Sequence, residues 1–171
     1  PFMQERVQQF GGHSVPRACV PVGNSGYTIT EALVKKCEAL GIDIFYETKA
    51  VKLLKENDVV TGVEAENGGK TVSFAAKKGV VLATGGFGAN VAMRVEYNPA
   101  YGSEYKTTCI QAAQGDGIVM AQAVGAKLVD MGYIQVYPTC NPKTGIISYV
   151  ANSRFDGAVL VNKEGHRFVN E

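Results

Sequence analysis

The sequence predicts an α/β fold, and three observations support that prediction. An apolar run, Val80–Ala83, passes directly into a glycine-rich segment that ends at Gly88. An amphipathic helix pattern begins near Thr28, and three short extended runs separate it from the apolar run. A short apolar run of this kind is typical of a strand that is buried on both faces of a parallel sheet.

The glycines that follow this strand predict a ligand site. Because Gly85 and Gly86 have no Cβ, their backbone N–H groups can come close to a bound molecule. Ligands of open α/β sheets bind beyond the carboxyl ends of the strands. The alternative is an ordinary strand with a flexible loop after it, since a glycine motif alone is a weak signal.

Length and composition restrict the class of protein. The chain has 171 residues, of which 46% are hydrophobic, so it can form one domain, or one domain and part of another. Its net charge of +1 argues against nucleic acid or an anionic membrane as the main partner. No apolar run approaches the roughly 20 residues that a membrane-spanning helix requires.

The cysteines argue against a metal centre and against a disulfide scaffold. No C-x-x-C pair occurs, and the four residues are irregularly spaced at Cys19, Cys37, Cys109 and Cys140. We therefore predict no metal site and favour a reducing, cytoplasmic location. A periplasmic or cell-surface location would need a signal sequence before Pro1.

The first helix is predicted from its two ends. Thr28 and Glu31 have the spacing of a capping box, and Gly41 stands at the usual C-terminal stop. Between them an apolar stripe at helical spacing consists of Leu33, Cys37 and Leu40. The segment Ile42–Tyr46 is predicted to be a strand.

A three-stranded meander is predicted next. Its strands are Ala50–Leu54, Val59–Ala65 and Thr71–Ala75, and Asn67-Gly68-Gly69 is a strong hairpin signal. A meander between two strands of a parallel sheet departs from a plain Rossmann repeat. This order resembles the layout of flavoproteins that hold FAD with one dinucleotide-binding domain.

Two further helices are predicted in the second half of the chain, over Ala89–Tyr97 and Ile118–Val124. Gly115-Asp116-Gly117 precedes the latter helix, and Gly125 ends it. The amides at its start can bind negative or electron-rich groups. Asp116 has a second interpretation as the N-cap of this helix.

Five motifs together resemble one family, the flavoprotein subunits of the fumarate reductase and flavocytochrome c group, which includes urocanate-reducing and acrylate-reducing members. The motifs occur in family order at residues 11–17, 81–88, 115–117, 133–139 and 157–171. Each motif is weak alone. Together they are specific to the family, though not to the substrate.

The resemblance implies an FAD-binding, Rossmann-like domain portion with an inserted β-meander, over residues 1–131. The start of an α+β substrate-capping domain would follow over residues 132–171, with the boundary near Gly132. The resemblance also implies FAD as the cofactor. The residues implied to contact FAD are Ala50, Val51, Ala83, Thr84, Gly85, Gly86, Gly115 and Asp116.

The substrate side departs from the family pattern. Fumarate reductases of this group have histidine where Tyr137 stands, and tyrosine resembles the urocanate-reducing branch. Tyrosine supplies a hydrogen bond and a ring face but no positive charge. Val150 or Ala151 stands where the family has a glutamate of the proton path. Arg154 matches a catalytic arginine of that path, and a surface arginine is the alternative.

The resemblance implies an oxidoreductase that reduces the C=C bond of an unsaturated carboxylate such as fumarate, urocanate or another acrylate. Flavin N5 would supply the hydride, and a flavin, haem or reductase domain elsewhere in the full protein would supply electrons. We expect the chain to be a middle segment. The phosphate-binding glycine motif would lie before Pro1 and the proton-donating arginine after Glu171, so the segment alone would be inactive.

Two alternatives remain open. The first is a related flavoenzyme with other chemistry, such as an L-aspartate oxidase or a ketosteroid dehydrogenase. The second is a non-catalytic α/β binding domain. Bound FAD in the full-length protein would remove the second alternative.

Overall fold

The structure is a computed structural model, and it describes residues 3–9, 13–137, 140–141, 143–147 and 157–170. The chain divides into two compact units. One unit comprises Pro1–Phe45 with Ser148–Glu171, and the other comprises Tyr46–Ile147. The predicted domain boundary near Gly132 stays a prediction.

The first unit contains the helix α1, Gly26–Ala39, which a short 3-10 turn at Val22–Asn24 precedes. Isolated antiparallel bridges hold the preceding loop, joining Met3 to Pro21 and Gln8 to Ala18. Near the end of the chain, Val161 and Arg167 form a further isolated antiparallel bridge.

The N-terminus of α1 corrects the predicted capping box. The N-cap is Ser25, whose hydroxyl oxygen accepts a hydrogen bond from the Tyr27 amide, and the helix begins before Thr28. The Thr28 hydroxyl donates to the Val22 carbonyl at 3.1 Å, so it does not cap the helix. Glu31 pairs instead with Lys35 at 3.1 Å, one turn further along.

The C-terminus of α1 confirms the predicted stop at Gly41. The Ile42 amide donates to the Cys37 carbonyl and the Gly41 amide to the Glu38 carbonyl, each at 3.0 Å. This is the Schellman pattern, and it needs a left-handed residue. Gly41 supplies it with a φ of 66°.

The strand predicted at Ile42–Tyr46 is wrong. Within the described residues this segment pairs with no strand, and the side chains of Ile42 and Tyr46 are exposed. An apolar run shows which residues tend to become buried, but a strand also needs a neighbouring strand for its amides and carbonyls.

The second unit confirms the predicted meander. The strands β1, Thr48–Glu56, β2, Val59–Asn67, and β3, Lys70–Ala75, form an antiparallel sheet in the order β1-β2-β3. Two-residue turns join them at Asn57-Asp58 and Gly68-Gly69, where all four φ angles are positive. Positive φ at both central residues is the type I′ geometry that matches strand twist.

Close backbone packing shapes the middle of the sheet. Leu53 and Ala65 are buried. A Cβ on Gly62 would overlap the carbonyl oxygen of Phe74 on the neighbouring strand, so this position requires glycine. In β1 the ladder is irregular between Ala50 and Lys52, where a β-bulge interrupts the pairing.

The remaining helices are α2, Val91–Tyr97, and α3, Asp116–Ala123. They confirm the two predicted helices with small shifts of their ends. Gly125 ends α3 with a φ of 97°, again in a Schellman pattern. No helix among the described residues has both the length and the apolar character to cross a membrane.

The helix α3 packs against β1, and Lys55 joins the two elements. Its ammonium group donates to the Val124 carbonyl at the end of α3 at 3.0 Å. It also lies 2.8 Å from the Asp58 carboxylate in the first hairpin turn. That hydrogen bond and charge lower the pKa of Asp58. Lys55 thus fixes the hairpin turn to the C-terminus of α3.

The prediction that Val80–Ala83 is a buried strand is wrong within the described residues. The segment pairs with no described strand, and Val81 is 90% exposed. A strand of a parallel sheet is buried by neighbours on both sides and by helices on both faces. The described residues do not provide those neighbours.

We predict that Gly62→Ala weakens the meander, because its methyl group would displace the Phe74 carbonyl. The expected loss is about 1–3 kcal/mol of local opening free energy. Amide hydrogen exchange in β2 and β3 measures it. Gly26→Ala is the control, since a Cβ there meets nothing within 4 Å. Unchanged protection of β2 in Gly62→Ala would contradict the prediction.

Candidate functional site

The glycine-rich segment lies against the first turn of α3. A Cβ on Gly117 would overlap the Thr84 hydroxyl oxygen and would lie 3.0 Å from the Thr84 Cβ. This distance is shorter than ordinary van der Waals contact, so the Thr84 side chain fills the space that a larger residue at position 117 would need. The structure therefore brings together two of the predicted cofactor segments, Ala83–Gly86 and Gly115–Asp116.

The third predicted segment, Ala50–Val51, belongs to β1 and lies at its bulge. The preceding residue, Lys49, is 3.6 Å from the Asp116 carboxylate. β1 therefore reaches the same end of α3 as the glycine-rich segment. Bulges are common beside active sites because they redirect a side chain that regular pleating would point elsewhere.

Gly115 is required at its position for two reasons. It is the N-cap of α3 and has a left-handed φ of 84°. A Cβ there would also lie 2.5 Å from the Met93 sulfur and 3.0 Å from the Phe87 Cβ. The interpretation of Asp116 as the N-cap is wrong, because Asp116 is the first helical residue.

Thr84–Gly86 and the first turn of α3 form a corner, and this corner has backbone N–H groups without described acceptors. Among the described residues, no side chain accepts a hydrogen bond from the first-turn amides of α3. Among the described residues, no group accepts a hydrogen bond from the amides of Thr84, Gly85 and Gly86, which are exposed. A Cβ on Gly85 or Gly86 would meet nothing within 4 Å. Such an open set of N–H groups suits an anionic or electron-rich ligand.

Asn90 holds the corner together and was not predicted. Its carbonyl oxygen accepts from the Met93 amide at 3.0 Å, which caps α2. Its side-chain amide donates to the Gln114 carbonyl at 2.9 Å, directly before Gly115. An asparagine that precedes a helix pattern is a recognised N-cap signal, so the sequence could have indicated the first contact.

Tyr137 lines a cavity of about 400 Å³ in the second unit, a volume within the range of small-molecule sites. Gly88 lines the same cavity, so the cavity begins next to the glycine-rich segment. Its other described lining residues are Arg94, Tyr101, Tyr105, Lys106, Thr107, Thr108, Cys109, Ile134, Gln135, Val136, Cys140, Gly145 and Ile147.

Arg94 is the second residue that the sequence did not indicate. It is 5% exposed, and its guanidinium donates to the carbonyls of Gly102 and Tyr105 at 3.2–3.3 Å. A lone arginine in a helix pattern gives no sign that it will be buried. The predicted catalytic residue Arg154, and Val150 and Ala151 with it, lie outside the described residues.

Comparison with known proteins gives consistent matches. The chain is 46% identical to a urocanate reductase of Eggerthella lenta, over 95% of this chain and 27% of that protein. An open flavocytochrome c3 fumarate reductase structure is 32% identical, with a TM-score of 0.79 over 95% of this chain and 29% of that chain.

A third match is the structure of a 3-ketosteroid-Δ4-(5α)-dehydrogenase from Rhodococcus jostii RHA1. It is 30% identical, with a TM-score of 0.66 over 77% of this chain and 31% of that chain. This chain thus spans less than a third of each of these proteins. A family model described as an FAD binding domain matches residues 4–171. The chain therefore belongs to the FAD binding domain family.

Proposed function

We propose that this chain is part of an FAD-dependent oxidoreductase that reduces the C=C bond of an unsaturated carboxylate. The observation that carries the proposal is the open donor corner at Thr84–Gly86, next to a cavity that Tyr137 lines. The relatives named as urocanate and fumarate reductases support it. Because the chain spans 27% of the urocanate reductase, the activity of the whole protein is part of the proposal.

The residues of the corner fit FAD. The amides of Thr84–Gly86 and the start of α3 would donate to its electron-rich atoms, and the lack of side chains at Gly85 and Gly86 would allow a close approach. Gly115 would contribute through the backbone conformation that starts α3. Ala50 and Val51 would line the cofactor from the β1 bulge. Ala83 and Asp116 complete the proposed set of contacts.

FAD, once reduced by the electron donor, would supply a hydride from its N5 atom to one carbon of the substrate double bond, and an acid of the full-length protein would protonate the other carbon. The residues of this chain orient the reactants. Tyr137 would hold the substrate in the cavity that it lines together with Gly88, by a hydrogen bond from its hydroxyl or by stacking of its ring. Cavity walls that exclude water would strengthen these polar contacts.

Tyr137 favours an aryl or heteroaryl acrylate such as urocanate over fumarate. Fumarate carries a carboxylate at each end, and a neutral tyrosine gives the second carboxylate no counter-charge. An aromatic ring can instead stack on the tyrosine ring. The 46% identity to a urocanate reductase supports the same preference.

Other parts of the proposal concern the full-length protein. Arg154 would belong to the proton path, and a capping domain would begin near Gly132. An electron donor, whether a flavin, a haem or a reductase domain, would lie elsewhere in the polypeptide. A cytoplasmic location is proposed from cysteine usage alone.

A ketosteroid dehydrogenase is the second candidate, which the match to the Rhodococcus jostii enzyme favours. Such an enzyme would oxidise a steroid ketone and would not need a carboxylate on its substrate. A steroid-dependent reduction of the flavin would therefore distinguish it. A non-catalytic domain would leave the full-length protein without bound flavin.

The first prediction of this proposal concerns flavin affinity. Gly86→Ala places a methyl group where no described protein atom lies within 4 Å. The substitution should leave the stability of the apoprotein within about 0.5 kcal/mol of wild type. It should weaken FAD binding by about tenfold if the flavin nucleotide occupies that space. Thermal unfolding of the apoprotein and fluorescence titration with FAD measure the two quantities.

Gly26→Ala is the matched control, because it adds the same methyl group to open space outside the site. It should change neither quantity by more than about 0.5 kcal/mol. Equal FAD affinity in Gly86→Ala and Gly26→Ala would contradict the placement of FAD at this corner.

The second prediction concerns the substrate. Full-length protein reduced with viologen should turn over urocanate or cinnamate faster than fumarate, because Tyr137 lacks a positive charge. Tyr137→His should shift the preference toward fumarate by about tenfold, since a protonated imidazole pairs with a carboxylate. Initial rates of reoxidation with each acid measure this ratio.

Tyr137→Phe serves as the control that keeps the ring and removes the hydroxyl. It should retain the aryl preference if the ring face provides it. Wild-type protein that reduces fumarate fastest would disprove the proposed role of Tyr137. Absence of turnover with every enoate would disprove the proposed reaction.

A further inference from the structure

The cavity beside Tyr137 has an unbalanced charge. Two of its lining residues, Arg94 and Lys106, are basic, and none of its described lining residues is acidic. Neither Arg94 nor Lys106 forms an ion pair with any described residue. An excess of cations along the described walls of a cavity attracts anions.

Arg94 is the buried cation of this cavity. Its guanidinium donates to two backbone carbonyls, which are neutral, and its Nε has no hydrogen-bond acceptor among the described residues. Burial of an unpaired charge is unfavourable, and an anion nearby would offset that cost. Lys106 is exposed, so its ammonium group can meet a ligand that enters the cavity.

The other walls indicate what kind of anion would fit. Tyr101 and Tyr105 form an edge-to-face pair with ring centroids 5.3 Å apart, and both line the cavity. The apolar part of the lining comes from Ile134, Val136 and Ile147. A planar organic anion with an aromatic or apolar body matches this combination of walls.

We propose that Arg94 and Lys106 make this cavity the binding site for the carboxylate of an aryl or heteroaryl acrylate. Lys106 contacts the carboxylate directly, and Arg94 stabilises it through its buried charge. The inference rests on the proposed function in taking that carboxylate to be the substrate's. It adds two cations, neither of which belongs to the set of residues implied by sequence resemblance.

The test compares trans-cinnamate with trans-cinnamamide, which has the same shape and no charge. Both are titrated calorimetrically into full-length, FAD-loaded, oxidised protein. We expect the wild type to bind cinnamate more tightly than the amide. Lys106→Met should reduce this preference by about tenfold, the usual effect of losing one hydrogen bond to a charged group. Lys127→Met is the matched control, since Lys127 is an exposed lysine that does not line the cavity.

Arg94 variants test the buried charge. Arg94→Gln keeps hydrogen-bond donors and removes the charge, so it should lower the preference for cinnamate. Arg94→Lys keeps the charge and should retain more of that preference than Arg94→Gln does. If the Arg94 variants do not fold, Lys106→Met alone decides the result.

A wild-type protein that binds cinnamate and cinnamamide equally would overturn the inference. The inference would also be overturned if Lys106→Met preferred cinnamate as strongly as Lys127→Met does. The experiments distinguish failure of this inference from failure of the proposed function. If the protein reduces cinnamate but its preference for cinnamate over cinnamamide does not depend on Lys106, the inference is wrong and the proposed reaction still stands. A preference lost in Lys106→Met, in a protein that reduces no enoate, would support the inference and refute the reaction.

Discussion

The site depends on the close contact between Thr84 and Gly117. The threonine side chain fills the space that a Cβ at position 117 would need, so the glycine-rich segment can lie directly on the first turn of α3. Overpacking such a contact costs about 1–3 kcal/mol. The ion pair between Lys49 and Asp116 brings β1 to the same place, but both side chains are about half exposed or more. An exposed pair contributes about 1 kcal/mol at most, so a larger residue at position 117 would disturb the corner as much as loss of the ion pair, or more.

The parts of the fold that depend only on residues close together in the sequence could be predicted from it. The turn at Gly68-Gly69 and the helix stop at Gly41 follow from glycine in left-handed conformations, and both are confirmed. The strands predicted at Ile42–Tyr46 and Val80–Ala83 do not form within the described residues, because sheet pairing depends on distant partners, which an apolar run does not specify. The start of α1 was misplaced because two hydroxyl residues, Ser25 and Thr28, stand close enough to compete as caps.

The candidate site also has features that the sequence indicated and features that it did not. Glycines after an apolar run marked the corner, and the structure places them beside α3 with open amides. The cavity could not be predicted, since segments more than 40 residues apart in the sequence, from Gly88 to Ile147, line it. Arg94 had no pattern that distinguished it from a surface arginine, and its burial emerges only when the Gly102–Tyr105 turn covers it.

The irregular ladder in β1 has a further consequence for solubility. Within the described residues, β1 is an outer strand of the sheet, so one of its edges has no strand beside it. Exposed outer strands recruit strands of other molecules and promote aggregation. The interruption at Val51 and the exposed lysines at positions 49, 52 and 55 oppose that recruitment. The bulge beside Ala50 and Val51 therefore also makes the outer edge of β1 a poorer template for strands of other molecules.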